Sequence, residues 1–205
     1  MADSLKAERL QLQIAGESVV EVDYSQFHPA LAYAELGFAA PPDAYDVPGA
    51  GRPLVKIAFN IMLNGRSRHG ARWEIAHAKE MAPLVLGLDC PEGVSAFEVE
   101  AARPGYLRAA MWAAQGIINA LLAKHAPIAS LFFTSVGLRL QRMDSDIAEG
   151  VMREMRRREI VVLPVHDSFL APASKSAELE AVMIDVAAKF GAAVSCKRSS
   201  TVPTA

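Results

Sequence analysis

Alternating apolar and polar residues predict two β-hairpins. Residues 9–14 (RLQLQI) and 18–24 (SVVEVDY) alternate, and the Ala-Gly-Glu segment between them can turn, so a hairpin is predicted near the start of the chain. Residues 159–172 (EIVVLPVHDSFLAP) hold a β-branched run, a polar turn and a second apolar run, which predicts a second, buried hairpin. An aspartate lies at the end of the first hairpin, Asp23, and at the bend of the second, Asp167. Residues 192–197 predict an edge strand.

Helical periodicity, with proline at helix starts and glycine at helix ends, predicts the remaining elements. The predicted helices cover residues 30–36, 52–64, 66–81, 104–125, 127–158 and 176–190. Residues 82–103 contain several prolines and glycines and are predicted to be mostly irregular. The helix at 104–125 has few charges, so it is predicted to be mostly buried, with Met111 and Trp112 in the core. The fold class is therefore α/β (α+β): an antiparallel sheet of the two hairpins, backed by helices 104–125 and 138–158.

Length and composition are those of a folded domain. The chain has 205 residues, of which 52% are hydrophobic and 21% charged, enough for one core. A single domain over residues 1–205 is predicted, with residues 199–205 and the first few residues as disordered tails. Cys90 and Cys196 have no metal-ligand spacing, which favours a reducing, cytoplasmic location. A leader and an apolar run of about 18 residues are both lacking, so no membrane association is predicted.

Positive charge is concentrated in one segment, although the net charge is −2. Residues 52–73 contain five basic residues and no acidic one: Arg52, Lys56, Arg66, Arg68 and Arg72. Solvated helix surfaces usually mix both signs, so this segment predicts a cationic surface. Arg52, Lys56, Asn60 and Asn64 recur at four-residue steps and share one helix stripe. An arginine fork and a lysine ammonium one turn apart can reach adjacent phosphates.

Asp23 and Asp167 are candidate metal ligands. An ionised aspartate between Val165 and Phe169 is costly to bury unless a hydrogen bond or a cation compensates it. Two divalent ions about 4 Å apart need carboxylates from separate elements, and Asp23 and Asp167 lie on separate elements. Two Mg²⁺ or Mn²⁺ ions are therefore the predicted cofactors. The alternative is that Asp167 only bonds the backbone of its own turn.

Four motifs, in order, carry a resemblance to a known family. Residues 23–26 read DYSQ, Arg52 and Lys56 are followed by Gly65, Gln141 precedes an Asp-Ile pair by five residues, and residues 165–167 read VHD. Together they resemble the family A DNA polymerases and the related single-subunit phage RNA polymerases. The resemblance covers residues 19–172 and implies a palm-like sheet, with residues 52–103 as a reduced fingers region.

The resemblance implies a role for each matching position in template-directed nucleotide transfer. The aspartates would be catalytic and bind metal, together with the backbone carbonyl of the residue after Asp23: Asp23, Tyr24 and Asp167. A second group would bind the nucleotide: Gln26, His28, Arg52, Lys56, Asn60 and Asn64. A third group would contact nucleic acid: Arg66, Arg68, Gln141 and His166. The implied partners are a primer-template, a dNTP or an rNTP, and a separate protein that supplies a thumb or processivity function.

The chain also departs from the family pattern. His28 stands where the DNA polymerases have a glutamate that excludes the ribose 2′-OH, and Asn60 and Asn64 replace aromatic residues of the fingers helix. Only 22 residues precede Asp23, too few for a thumb. Ser168 after the aspartate is typical of the RNA polymerases, so the choice between DNA and RNA product stays open, with DNA favoured.

Two other functions are consistent with parts of the pattern. One is a degenerate palm that binds nucleic acid or nucleotide without catalysis, favoured by the missing thumb. The other is a metal-dependent phosphohydrolase with His166-Asp167 as its ligands, although that motif belongs on a helix and here follows a β run.

Overall fold

The computed structural model describes residues 8–87 and 94–199. The chain divides into two compact units. The first, called the sheet unit here, comprises Met1–Ala40 and Leu140–Ala205, and the second, called the helical unit, comprises Pro41–Arg139. The predicted fingers segment, residues 52–103, falls within the helical unit, whose bounds are wider. Cys90, the first few residues and residues 200–205 of the predicted tail lie outside the described residues.

Five antiparallel strands form one sheet in the order β1-β2-β4-β3, with β5 also paired to β2. They are β1 (Gln13–Ile14), β2 (Glu17–Ser25), β3 (Leu163–Val165), β4 (Ser168–Pro172) and β5 (Ser195–Ser199). This confirms the predicted fold class, a mixed α/β fold with an antiparallel sheet backed by helices. The edge strand predicted at 192–197 is present and begins at Ser195.

Eight α-helices lie wholly within the part of the chain that the structure describes. They are α1 (Phe27–Glu35), α2 (Arg52–Asn64), α3 (Arg68–Ala76), α4 (Met81–Leu86), α5 (Ala96–Ala102), α6 (Tyr106–Lys124), α7 (Gly137–Arg157) and α8 (Ser176–Lys189). Two short 3₁₀ helices cover Ala126–Leu131 and Ala173–Lys175. The prediction for α2 is confirmed at both ends, where Pro53 opens the helix and Gly65 follows it.

The two faces of β2 have different chemistry because side chains alternate along a strand. Val20, Val22 and Tyr24 share one face, and the Tyr24 hydroxyl donates a hydrogen bond to the carbonyl of Met183 in α8 at 2.9 Å. This face is the apolar core between the sheet and α8. Glu21 and Asp23 lie on the opposite face.

The helix that covers the sheet is α8, which is neither of the two predicted backing helices, 104–125 and 138–158. Helix α8 packs on β2, β4 and β5, whereas the predicted backing helix at 104–125 is α6, which packs against α2, α3, α4 and α5 in the helical unit. Helix α7 approaches α8 closely, since a Cβ on Gly150 would lie 2.8 Å from Val186 Cγ1. Both α6 and α8 are apolar and amphipathic enough to cover a sheet, so periodicity could not choose between them.

Several local predictions were wrong. Residues 9–12 and 160–162 are not strands, because β1 begins at Gln13 and β3 begins at Leu163. The second hairpin is buried only on its inner strand, β4, because β3 is an exposed edge strand. Proline has no N–H to donate to a neighbouring strand, and an edge strand such as β3 can therefore contain Pro164. Residues 82–103 hold α4 and α5, and a capping box at Ser95 and Glu98 starts α5.

The helical unit has its own core. Phe59 of α2 is buried and contacts the rings of Tyr45, His125 and Phe132 edge-on, at centroid distances of 5.8, 5.0 and 5.5 Å. Burial lowers the pKa of His125, whose Nε2 lies 2.9 Å from the Ala44 carbonyl oxygen. The prediction that Trp112 lies in the core was wrong, because 76% of the residue is exposed. Met111 is half-buried.

None of the helices in residues 8–87 and 94–199 is long and apolar enough to cross a membrane.

Candidate active site

Asp23 and Asp167 lie on neighbouring chain segments at one end of the sheet. Asp23 of β2 is directly opposite Ser168 of β4, and Asp167 is the residue before Ser168. The Tyr24 N–H donates a long hydrogen bond, 3.5 Å, to the Asp167 carbonyl. The tight turn of residues 166–167 joins β3 to β4 and requires a φ of 53° at His166. The backbone register therefore brings the two predicted metal ligands together across 144 residues of sequence.

A hydrogen-bonded polar group lines the same face of the sheet as Asp23. The Ser168 hydroxyl donates to the Glu21 carboxylate at 2.7 Å, and Glu21 is only 4% exposed. Arg9 forms an ion pair with Glu21 at 3.6 Å. Asp23 is half-buried, with its Oδ1 shielded from solvent. The Ser168 hydroxyl is also 2.9 Å from the carbonyl oxygen of Val165, so it can link the Glu21 carboxylate to the β3–β4 turn.

Asp144 of α7 is a further carboxylate, and it lies near Asp167. Burial raises the pKa of Asp144, the charge of His28 lowers it, and the charge of Asp167 raises it again. Asp144 is therefore within electrostatic range of both His28 and Asp167. Sequence reasoning did not select Asp144, and the only signal was its position one helical turn after Gln141.

Lys197 of β5 is a second residue that the sequence did not reveal. It is directly opposite Asp23 across the β2–β5 ladder, which puts the two Cβ atoms about 4.5–5.5 Å apart on one face. Its side chain is exposed. A lysine at this position lowers the repulsion among nearby carboxylates.

Tyr24 is held by its side chain, so only its backbone can face the aspartates. Its ring stacks on Phe27 with centroids 4.1 Å apart, and its hydroxyl bonds α8 as described above. Burial, and then the charges of Cys196 and Asp144, raises the pKa of Tyr24 well above its usual range. The predicted contribution of Tyr24, a carbonyl ligand, is compatible with this placement.

The other predicted residues of the sheet unit lie at its surface or at a helix start. Gln26 has a left-handed φ of 54° and precedes α1, whose first turn contains the half-buried His28. His166 and Gln141 are exposed, on the turn and on α7 respectively. Their predicted contacts with nucleotide or nucleic acid remain predictions.

Arg52 and Lys56 are both exposed on α2, as a phosphate-binding role requires. Arg52 is already engaged: its guanidinium pairs with the Asp43 carboxylate and lies 5.3 Å from the centroid of the Tyr45 ring. A hydrogen bond from the Tyr45 N–H, followed by the Arg52 contact, lowers the pKa of Asp43. No ion pair of Lys56 occurs among the described residues. Lys56 can therefore bind an anion directly. Arg52 can bind an anion only beside Asp43 or in place of it.

Asn60 and Asn64, at the far end of the stripe, are partly used in packing. The Asn64 amide donates to the Asn60 carbonyl at 2.9 Å. A Cβ on Gly137 would lie 1.9 Å from Asn64 Oδ1, so the glycine makes room for this side chain. Arg66 is exposed, and Arg68 donates to the Asn119 side chain.

The donor set fits hard divalent cations. In residues 8–87 and 94–199, no three His, Cys, Asp or Glu side chains are arranged to hold a metal ion by themselves. Mg²⁺ commonly takes only one or two protein carboxylates and completes its shell with water and substrate phosphates. Asp23, Asp167 and the Tyr24 carbonyl are all oxygen donors at one end of the sheet, which matches that requirement.

A scan against protein-family models found no match, and a search of curated proteins found none.

Proposed function

We propose that the chain is a template-directed nucleotidyltransferase that adds nucleotides to the 3′ end of a primer. One observation carries the proposal: β2 and the β3–β4 turn bring Asp23 and Asp167 together at the end of an antiparallel sheet. Asp144, which was not among the predicted site residues, adds a further carboxylate, whose pKa is raised by burial and by the charge of Asp167. The four-motif resemblance supports the same activity.

In the proposed reaction the primer 3′-oxygen attacks the α-phosphorus of the nucleotide. A new P–O bond forms, the bond between the α- and β-phosphates breaks, pyrophosphate leaves, and the hydroxyl proton is released to a base or to water. Asp23 and Asp167 would hold two Mg²⁺ ions, which when bound activate the attacking oxygen and stabilise the leaving one. The pairing of β2 with β4 and β5 keeps Asp23 in register with the β3–β4 turn before substrate binds.

Arg52 and Lys56 are the proposed residues for binding the phosphates of the nucleotide. Lys56 acts as a point charge and Arg52 as a fork for phosphate oxygens. The Arg52 guanidinium is paired with the Asp43 carboxylate, so the phosphates of a nucleotide must compete with Asp43 for it. The further proposed partners are a primer-template and a protein that supplies the thumb, in the cytoplasm.

His28 is the proposed sugar-sensing residue. It lies five residues after Asp23, in the first turn of α1, and its charge acts on Asp144. An imidazole can fill the space of a ribose 2′-OH, and it can also hydrogen-bond that hydroxyl. We infer that dNTPs are preferred and that His28→Ala raises the use of rNTPs. An unchanged dNTP to rNTP ratio in that variant would show that His28 only packs.

The test is primer extension by the full chain. A labelled DNA primer on a DNA template is offered dNTPs or rNTPs separately, with Mg²⁺ and with Mn²⁺. Extension with dNTPs is expected from the wild type and from Asp185→Asn, a control at an exposed aspartate of α8. Asp23→Ala should abolish it. Extension by Asp23→Ala at the wild-type rate would refute the site, and extension with rNTPs alone would refute the DNA preference.

A non-catalytic palm is the second candidate, because Asp43 already occupies Arg52. Retained primer-template binding with no incorporation of either nucleotide would establish it. The phosphohydrolase alternative has no support from the fold, since His166 and Asp167 form a β-turn rather than part of a helix.

A further inference from the structure

A groove of about 380 Å³ lies between α3 and α6 of the helical unit. It is lined by Arg72, Arg108, Met111, Trp112 and Gln115. No acidic residue is among these five, and two of them are arginines. The groove is therefore cationic, with an aromatic and a thioether side chain in its wall.

Trp112 is the most exposed large apolar residue of the described chain, at 76%. The opposite side of α6 is buried through Ala110, Ala114 and Ile118, so the helix is packed and well defined where Trp112 projects. A packed helix therefore holds the indole in water, in the wall of the groove that contains the two arginines. Arg108 precedes Trp112 by one helical turn, on the same face.

The two arginines are available to an anion. Within residues 8–87 and 94–199 no ion pair involves Arg72 or Arg108, and the buried Nε of Arg72 has no hydrogen-bond partner there. The charge of Arg108 acts on Glu100, but both Glu100 oxygens accept backbone N–H groups, from Gly105 at 2.9 Å and Leu107 at 2.6 Å. Glu100 is therefore committed to the start of α6.

One hydrogen bond between the two helices and one within α6 hold the far end of the groove. Arg68 of α3 donates to the Asn119 side-chain oxygen of α6, which also accepts from the Gln115 amide at 3.0 Å. The wall is thus preorganised by contacts that do not use Arg72, Arg108 or Trp112.

We propose that this groove binds single-stranded nucleic acid, with one base stacked on Trp112 and flanking phosphates on Arg72 and Arg108. Single-strand sites combine a cationic groove with exposed aromatic rings, because every base has a face that stacks. An acidic peptide would use the arginines but gain little from the indole, and a duplex would keep its bases stacked on each other. The inference goes beyond the proposed catalysis, since such binding needs neither metal nor nucleotide.

The test measures binding of fluorescein-labelled oligo-dT by the full chain, with EDTA present, at several salt concentrations. Trp112→Ala should weaken binding about tenfold or more, and Trp112→Phe should retain most of it, because stacking is preserved. Arg108→Gln should lower the slope of log affinity against log salt by about 0.7, the loss of one phosphate contact. Circular dichroism checks the fold of each variant.

Matched controls come from the same chain. Phe97→Ala removes another exposed aromatic of the helical unit, 60% exposed, and Arg153→Gln removes an exposed arginine that pairs with Glu149. Both should bind oligo-dT like the wild type. Because the chain has two tryptophans, quenching of intrinsic fluorescence by the oligonucleotide should be largely lost in Trp112→Ala.

Three results would overturn the proposal. These are wild-type affinity in Trp112→Ala, equal affinity for a duplex of the same length, and equal affinity for polyglutamate with the same dependence on Trp112. Failure of primer extension would leave the binding result unaffected, and failure of oligo-dT binding would leave the metal-site test unaffected, so the two proposals are judged separately.

Discussion

The sheet unit and the helical unit place their candidate functional groups in different ways. In the sheet unit, Asp23 and Asp167 are short side chains whose positions follow from strand register and a two-residue turn. In the helical unit, Lys56, Arg108 and Trp112 are long or large side chains projecting from helices into solvent. Short ligands on a sheet have little freedom, whereas exposed side chains keep several rotamers and adapt to what binds.

The two units suit different kinds of ligand. A metal site tolerates little displacement of its ligands, so it belongs on the rigid register of a sheet. Phosphates and bases vary in position along a nucleic acid, so adaptable cations and an exposed ring suit them. The electrostatics agree, because the described acidic cluster is in the sheet unit and the groove without an acid is in the helical unit.

The largest effect is expected from removing a rigid ligand. Asp167→Asn should lower the rate of primer extension by about a thousandfold or more, because an amide is a poor metal ligand and removes a charge from the site. Steady-state extension assays with Mg²⁺ measure it, and the thermal midpoint should stay the same or rise, since a carboxylate is removed from a cluster. A rate within tenfold of the wild type would mean that Asp167 only caps its turn.

The helical unit has a tightly packed point of its own, where Gly137 meets the Asn64 side chain. Gly137→Ala should destabilise the chain by about 1–3 kcal/mol, because the new Cβ would meet Asn64 Oδ1 at 1.9 Å. Urea unfolding measures the loss. The double variant with Asn64→Ala should recover most of it, and full additivity of the two changes would show that the clash is not the cause.

The two cations of α2 differ in their contacts, because Arg52 is paired with Asp43 and Lys56 is exposed. Lys56→Ala should raise the nucleotide KM about tenfold with a smaller change in kcat, because the ammonium is open to phosphate. Asp43→Asn should lower the KM, since it releases Arg52 from its ion pair. Nucleotide titrations of extension rate measure both. A higher KM in Asp43→Asn would indicate that Asp43 positions Arg52 instead of competing for it.

The smallest effect concerns Asp144 and depends on pH. Its folded pKa is raised, so the native state binds the proton more tightly than the unfolded chain and loses stability as pH rises above the ordinary value of about 3.9. Asp144→Asn should therefore stabilise the chain slightly at pH 7 and have no such effect at pH 3. Thermal melts at the two pH values measure it, and an equal shift at both would exclude a titration effect.

Local patterns in the sequence were enough to predict the hairpins, the bounds of α2, the edge strand and the pair of aspartates at strand ends. These features follow from signals within a few residues: Pro53 and Gly65 bracket α2, and the short polar turn at 166–167 separates two apolar runs. The pairing of β2 with β4 is also implied once both strands need to bury one apolar face.

Only the tertiary structure decided which helix covers the sheet, which residues join the aspartates, and which side of α6 is buried. Lys197 lies opposite Asp23 because β2 pairs with β5, although the two residues are 174 positions apart in the sequence. Asp144 lies near Asp167 because of the way α7 packs. Trp112 is a large apolar residue of the kind found in cores, but it is exposed because of the way α6 is rotated about its own axis. Registers and rotations are set by the total area that distant segments bury together, which no local pattern contains.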